Sequence, residues 1–160
     1  MQNERTLVLL KPVSIQRALV GEIVSRFENK GLKIVGMKMI HISKQLAKEH
    51  YSHLVSKPFY PDLEKFMTEH PVIAMVIEGK EAVEVVRNMC GVTNATKAAP
   101  GTIRGDLSFD SSFLANTGKR AIKNLIHASG TVDEALYEIP LWFSKGEIVS
   151  YRRAEEEAMR

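Results

Sequence analysis

Asn124-Leu125-Ile126-His127-Ala128-Ser129 lies downstream of Pro100-Gly101-Thr102-Ile103-Arg104-Gly105-Asp106. An apolar run delivers His127 to two small residues, so its ring stands at the end of a buried strand with little steric cover. The upstream segment is a glycine-rich turn with an arginine inside it, where bare backbone can approach a ligand closely. A nucleophile beside an arginine clamp is the equipment of phosphoryl transfer. Ser129 follows two residues on and Glu138 eleven. A carboxylate returning on the following helix can orient the imidazole and stabilise its charged form. A lone histidine is more often a satisfied core side chain, and that reading stands beside the catalytic one.

Other residues carry the same two readings. Arg87 and Arg104 can clamp a polyphosphate through bidentate bonds, or sit solvated at the surface. Phe59 and Tyr60 lie between Pro58 and Pro61, where aromatics stack on a planar ligand or plug the edge of a core. His50 and His53 share a helical face, but a metal there needs further ligands. A Walker phosphate loop is absent: Arg120 follows Gly118-Lys119, and Phe113 fills the upstream glycine position.

The elements that must position these groups can be read from the periodicity. Thr6–Leu10 and Val72–Ile77 are continuous apolar runs, the pattern of buried strands. Between them, Ser14 caps a helix that carries Ile15, Leu19, Val20, Ile23, Val24 and Phe27 at helical spacing and closes at Gly31. Leu32–Ile42 reads as a strand with Val35, Met37 and Met39 in phase. Lys44–Tyr51 and Pro61–Met67 read as short helices, and Glu81–Met89 as another. Gly91 to about Lys119 lacks periodicity and reads as a long loop. Leu125-Ile126 leads a short strand into His127. Thr131 and Glu134 have capping-box spacing and start a last helix, which Pro140 limits. The order β-α-β-α-α-β-α-β-α implies one α/β or α+β domain across residues 1–160.

The chain has 160 residues, 44% hydrophobic and 26% charged, enough for one domain with a real core. A net charge of +3 does not support a nucleic-acid binder, and it suits an anionic small ligand. Cys90 is the only cysteine, which fits a reducing compartment. No apolar run reaches membrane-spanning length, and the N-terminal stretch does not fit a signal peptide. Cytoplasmic location is the expectation.

Together these residues resemble the nucleoside diphosphate kinase family from about Glu4 to Tyr151. The likeness rests on Lys11-Pro12, Glu49-His50-Tyr51, Lys57-Pro58-Phe59, the whole of Pro100–Asp106, Asn124–Ser129 and Leu141-Trp142-Phe143. It implies a ferredoxin-like α/β sandwich, a four-stranded antiparallel sheet covered by helices. It implies ping-pong transfer of a γ-phosphoryl group from one nucleoside triphosphate, usually ATP, through Nδ1 of His127 to another nucleoside diphosphate. Glu138 would orient the ring, with Ser129 beside it. Lys11 and Tyr51 would contact the transferred phosphate. Arg87, Thr93 and Arg104 would form the phosphate clamp. Lys11 and Asn124 would hold the ribose hydroxyls, and Phe59, with Leu63 beside it, would stack on the base. Mg2+ would ride on the nucleotide's phosphates without a protein cage. A homo-oligomer, hexamer or tetramer, is implied, with no nucleic-acid or membrane partner.

The chain also departs from the family pattern. Val13-Ser14 replaces aspartate-glycine after Lys11-Pro12. Gly130 replaces an aspartate after Ser129. The segment from Arg104 to His127 is about ten residues longer than usual, with the excess around Leu107–Arg120. These departures motivate a second class of function, a nucleotide-binding regulatory protein with weak turnover.

Overall fold

The computed structural model describes residues 3–154. The two continuous apolar runs become β1 (Glu4–Leu10) and β3 (Val72–Gly79). They lie side by side in a four-stranded antiparallel sheet, in the order β2-β3-β1-β4, with β2 (Lys33–Ile40) and β4 (Ile126–Ala128) at its edges. Both faces of the sheet are covered, so the central strands bury every residue of their apolar runs instead of alternating.

On one face, Val8, Leu10, Ile73, Met75 and Ile77 pack against α2 (Val20–Asn29) and α5 (Ala82–Cys90) through Ile23, Phe27 and Val86. On the other, Leu7, Leu9, Ala74 and Val76 meet α3 (Lys44–His50), α4 (Tyr60–Glu69) and α8 (Val132–Trp142) through Ala47, Met67 and Trp142. This is the ferredoxin-like arrangement that the resemblance implies. No helix among the described residues is long and apolar enough to cross a membrane.

Several local expectations need correction. The single helix expected from Ser14 to Gly31 is two, because α1 (Pro12–Gln16) ends at Arg17 and Ala18 turns with φ of 54° before α2 begins. Ser14 does not cap it. Lys11 holds the cap position, Pro12 opens the helix, and the Ser14 hydroxyl donates to the Leu125 carbonyl at 2.7 Å. In β2 the register shifts between Ile34 and Gly36, so Val35 enters the core while Met37 and Met39 are 48% and 59% exposed.

The long loop from Gly91 is built rather than irregular. It holds α6 (Ile103–Leu107), capped by Thr102, and α7 (Ser112–Thr117), capped by Ser111. The Asp110 carboxylate accepts two N–H groups of Arg120, at 2.6 and 2.8 Å, and the Lys123 backbone N–H at 2.6 Å. The extra segment is therefore closed on itself directly before Asn124. At the other end, α8 runs through Pro140 to Trp142 rather than stopping at the proline.

Candidate active site

β4 pairs with the central strand β1, setting His127 opposite Leu9. The backbone that leads into it is held from three sides. Leu125 takes a left-handed φ of 68° while fully buried, a conformation a leucine adopts only when its surroundings impose it. Its carbonyl accepts the Lys11 N–H at 2.8 Å as well as the Ser14 hydroxyl. The Arg104 guanidinium donates to the carbonyls of Gly91, Asn124 and Ile126 at 2.6, 3.2 and 2.5 Å. Ser14, a departure from the family pattern, thus takes part in fixing the strand that carries the histidine.

His127 keeps 20% of its side chain exposed. Its Nε2 lies 3.0 Å from Glu138 Oε1, and Ser129 Oγ donates to Glu138 Oε2 at 2.6 Å. Leu7 N–H donates to Ser129 Oγ at 3.2 Å, tying this network to β1. Burial raises the proton affinity of Glu138, but the hydrogen bond and charge of His127, the Ser129 hydroxyl and His50 outweigh it and hold the carboxyl below its usual range. An ionised carboxylate at Nε2 requires the ring proton there, which leaves Nδ1 with its lone pair. Burial lowers the pKa of His127 itself despite the hydrogen bond to Glu138, so the ring is neutral at neutral pH.

Lys11, Asn124, Arg87 and Tyr51 lie against this ring or the strand that carries it. Lys11 is buried, and its Nζ donates to Asn124 Oδ1 at 2.7 Å, while Asn124 Nδ2 donates to the Thr93 carbonyl at 3.1 Å. Burial, then the Arg104 charge, lowers the Lys11 pKa to about 7. Arg87, exposed on α5, donates to the Ala128 carbonyl at 3.2 Å. Tyr51 lies 6.3 Å from His127 between ring centroids, and its buried hydroxyl has no partner among the described residues. Phe59 stands 50% exposed at the start of α4, whereas Leu63 is buried in the core beneath it.

One expectation about the Pro100–Asp106 segment changes. Gly105 does not open backbone to a ligand: a Cβ there would lie 2.0 Å from the Ala99 carbonyl oxygen, so the glycine serves chain packing. Asp106 accepts the Gly101 N–H at 2.8 Å and Arg26 at 2.7 Å, which pins the turn to α2. The altered box after His127 is also ordered. The Gly130 N–H donates to the Glu134 carboxylate at 2.7 Å, and Thr131 caps α8 through the Glu134 N–H.

Sequence reading gave His50 only as a candidate metal partner of His53 and as part of the family match, not as a neighbour of His127. It is no partner of His53 in a metal site. Its buried ring meets His127 edge to face at 4.5 Å, and its Nδ1 accepts the Trp142 indole N–H at 3.2 Å. The adjacent Tyr51 and the later Trp142 were visible, but their convergence needed the fold. Burial, then the neighbouring His127, lowers the His50 pKa to about 3. Between pH 6.5 and about 3 the unfolded chain takes up a proton at His50 that the folded chain refuses, so stability falls as pH drops through that window. Thermal melts from pH 7 to pH 5 are expected to show a falling Tm, with a smaller fall in His50→Asn. An equal fall in both would contradict this assignment.

Comparison with known proteins shows which family the chain belongs to. The family model "Nucleoside diphosphate kinase" matches residues 4–148. A nucleoside diphosphate kinase of Pyrococcus abyssi is 50% identical over 97% of this chain and 93% of its own. One of Staphylococcus carnosus is 49% identical over 96% of each. A Borrelia burgdorferi nucleoside-diphosphate kinase structure, a transition-state mimic with bound vanadate and ADP, superposes with a TM-score of 0.92 at 43% identity, covering 96% of this chain and 95% of the other. A Halobacterium salinarum enzyme in complex with CDP gives a TM-score of 0.89 at 44% identity over 99% of each chain. The chain belongs to the nucleoside diphosphate kinase family.

Proposed function

We propose that His127 is the phosphoryl acceptor in a ping-pong nucleoside diphosphate kinase reaction, carried by one observation: Glu138 holds Nε2 and leaves Nδ1 as the free nucleophile. The Nδ1 lone pair attacks the γ-phosphorus of a nucleoside triphosphate. The bond to the β-phosphate oxygen breaks, and the nucleoside diphosphate leaves. No proton has to depart from Nδ1, because the ring proton already sits on Nε2 against Glu138. In the second half, a β-phosphate oxygen of another diphosphate attacks the phosphoryl group, the N–P bond breaks, and Nδ1 regains its lone pair.

Lys11, Arg87 and Arg104 supply positive charge around the phosphates, with Tyr51 and Thr93 as further contacts. Lys11 and Asn124 meet the ribose. Exposed Phe59 stacks on the base, which suits any base because each has a π face. Of the carboxylates, Glu138 is spoken for at both oxygens, and the cluster of His50, His127 and Glu138 is nitrogen-rich. That donor set does not suit magnesium, which prefers oxygen ligands and water. Magnesium enters on the nucleotide's phosphates, where it offsets their charge. Initial velocities against both nucleotides test the scheme: parallel double-reciprocal lines are expected, and intersecting lines would refute a phosphoenzyme.

The protein works as a homo-oligomer in the cytoplasm, in keeping with a single buried thiol. The observation for assembly is the edge strand β2, which presents Met37 and Met39 to solvent. Light scattering at micromolar concentration is expected to give a multiple of the chain mass. A monomer would overturn the assignment.

A further inference from the structure

The Trp142 indole N–H only donates, so the His50 Nδ1 that accepts it carries no proton. The His50 proton therefore sits on Nε2, a buried atom without a partner among the described residues. Leaving a buried donor unpaired is costly, so something must favour this tautomer. The other tautomer would place the proton on Nδ1, which lies 3.7 Å from Glu138 Oε1. That oxygen already accepts the His127 Nε2–H, and Oε2 is taken by Ser129. At that separation a proton on His50 Nδ1 could pair with Oε1 only if the carboxylate shifted toward His50 and away from His127. It would also strip the indole of its acceptor.

We propose that Trp142 is a tautomer lock and positioning residue: its N–H occupies His50 Nδ1 and so reserves Glu138 for His127. The proposal rests on the reading of His127 Nδ1 as the nucleophile. A His127 released from Glu138 can carry its proton on Nδ1 and is then no nucleophile. The three rings are fixed for this role, with His50 edge to face against His127 at 4.5 Å and against Trp142 at 5.4 Å. Other groups face His50 as well: Tyr51 on its own segment, His53 from the following 3₁₀ turn, Lys11 at the end of β1, His127 from β4 and Glu138 from α8. The cations among them add to burial in keeping His50 neutral, so its influence lies in which nitrogen bears the proton, not in its charge.

The test uses the full chain without nucleotide. Imidazole 15N spectra at pH 8 in the wild type are expected to place the His50 and His127 protons on Nε2. A proton on His50 Nδ1 would overturn the proposal before any variant is made. Trp142→Phe keeps an aromatic ring and deletes the donor. We expect a His127 population protonated on Nδ1, phosphoenzyme formation slowed roughly tenfold in a single turnover, and ATP affinity within about twofold of wild type. Adding His50→Asn removes the competing imidazole and is expected to restore the His127 tautomer. A purely structural role for Trp142 would show no such rescue. An unchanged His127 tautomer in Trp142→Phe, or no rescue in the double variant, refutes the lock. Full turnover in His127→Asn would instead refute the nucleophile assignment and leave the tautomer result standing.

Discussion

His127→Asn is expected to lower turnover by about four orders of magnitude or more while the fold persists. Every other group around the phosphates can still bind and orient a nucleotide, but none offers a second free nitrogen at the place where His127 Nδ1 stands. Asparagine has no lone-pair nitrogen to replace it. The structural cost is small because His127 lies on the short β4 with part of its side chain in solvent. Glu138 loses one partner and keeps the Ser129 hydroxyl, so the loss is about 1 kcal/mol. Nucleotide titration and circular dichroism should match the wild type. A variant with normal turnover would refute the assignment of the nucleophile.

Arg104→Ala is expected to destabilise the protein by roughly 3–5 kcal/mol and to weaken transfer as well. The buried guanidinium closes three backbone carbonyls, and two of these, Asn124 and Ile126, belong to the segment that ends in His127. Alanine leaves all three carbonyls without the donor and opens a gap beside the strand. Arg104→Lys should recover only part of the loss, because one ammonium cannot reproduce a planar fork aimed at three acceptors. Urea unfolding measures the first effect, and turnover at a temperature where the variant stays folded measures the second. A stable variant that lost only nucleotide affinity would make Arg104 a pure ligand contact. Under the proposed function it has two tasks, holding the backbone with three N–H groups and offering the remainder to phosphate.

The central strands were legible because burial on both faces leaves continuous apolar runs at Thr6–Leu10 and Val72–Ile77. α8 was legible in its Thr131 cap, but Pro140 does not end it: the helix continues to Trp142. The break after α1 was not legible, since Ile15, Leu19 and Val20 keep helical spacing across it and Ala18 carries no sign of its left-handed turn. The shift in β2 was hidden for a similar reason, because Val35, Met37 and Met39 alternate regularly until one extra residue reverses the face. α6 and α7 are too short to show periodicity, although Thr102 and Ser111 stand at their caps.

At the site, His127, Ser129 and Glu138 were readable from spacing along one strand and its following helix. The bond from Lys11 to Asn124 joins residues 113 apart, and that from Trp142 to His50 joins residues 92 apart. Local pattern carries no trace of such pairs. Arg104 was readable as a cation beside glycines, but its anchoring role follows from carbonyls that only the folded chain brings near.

The most direct test is intact mass after brief exposure to ATP and magnesium, with and without acid treatment, followed by addition of GDP. One acid-labile phosphoryl group per chain is expected, absent in His127→Asn and discharged by GDP. A chain that binds ATP yet gains no phosphoryl group, or one that keeps it after GDP is added, would contradict transfer through His127.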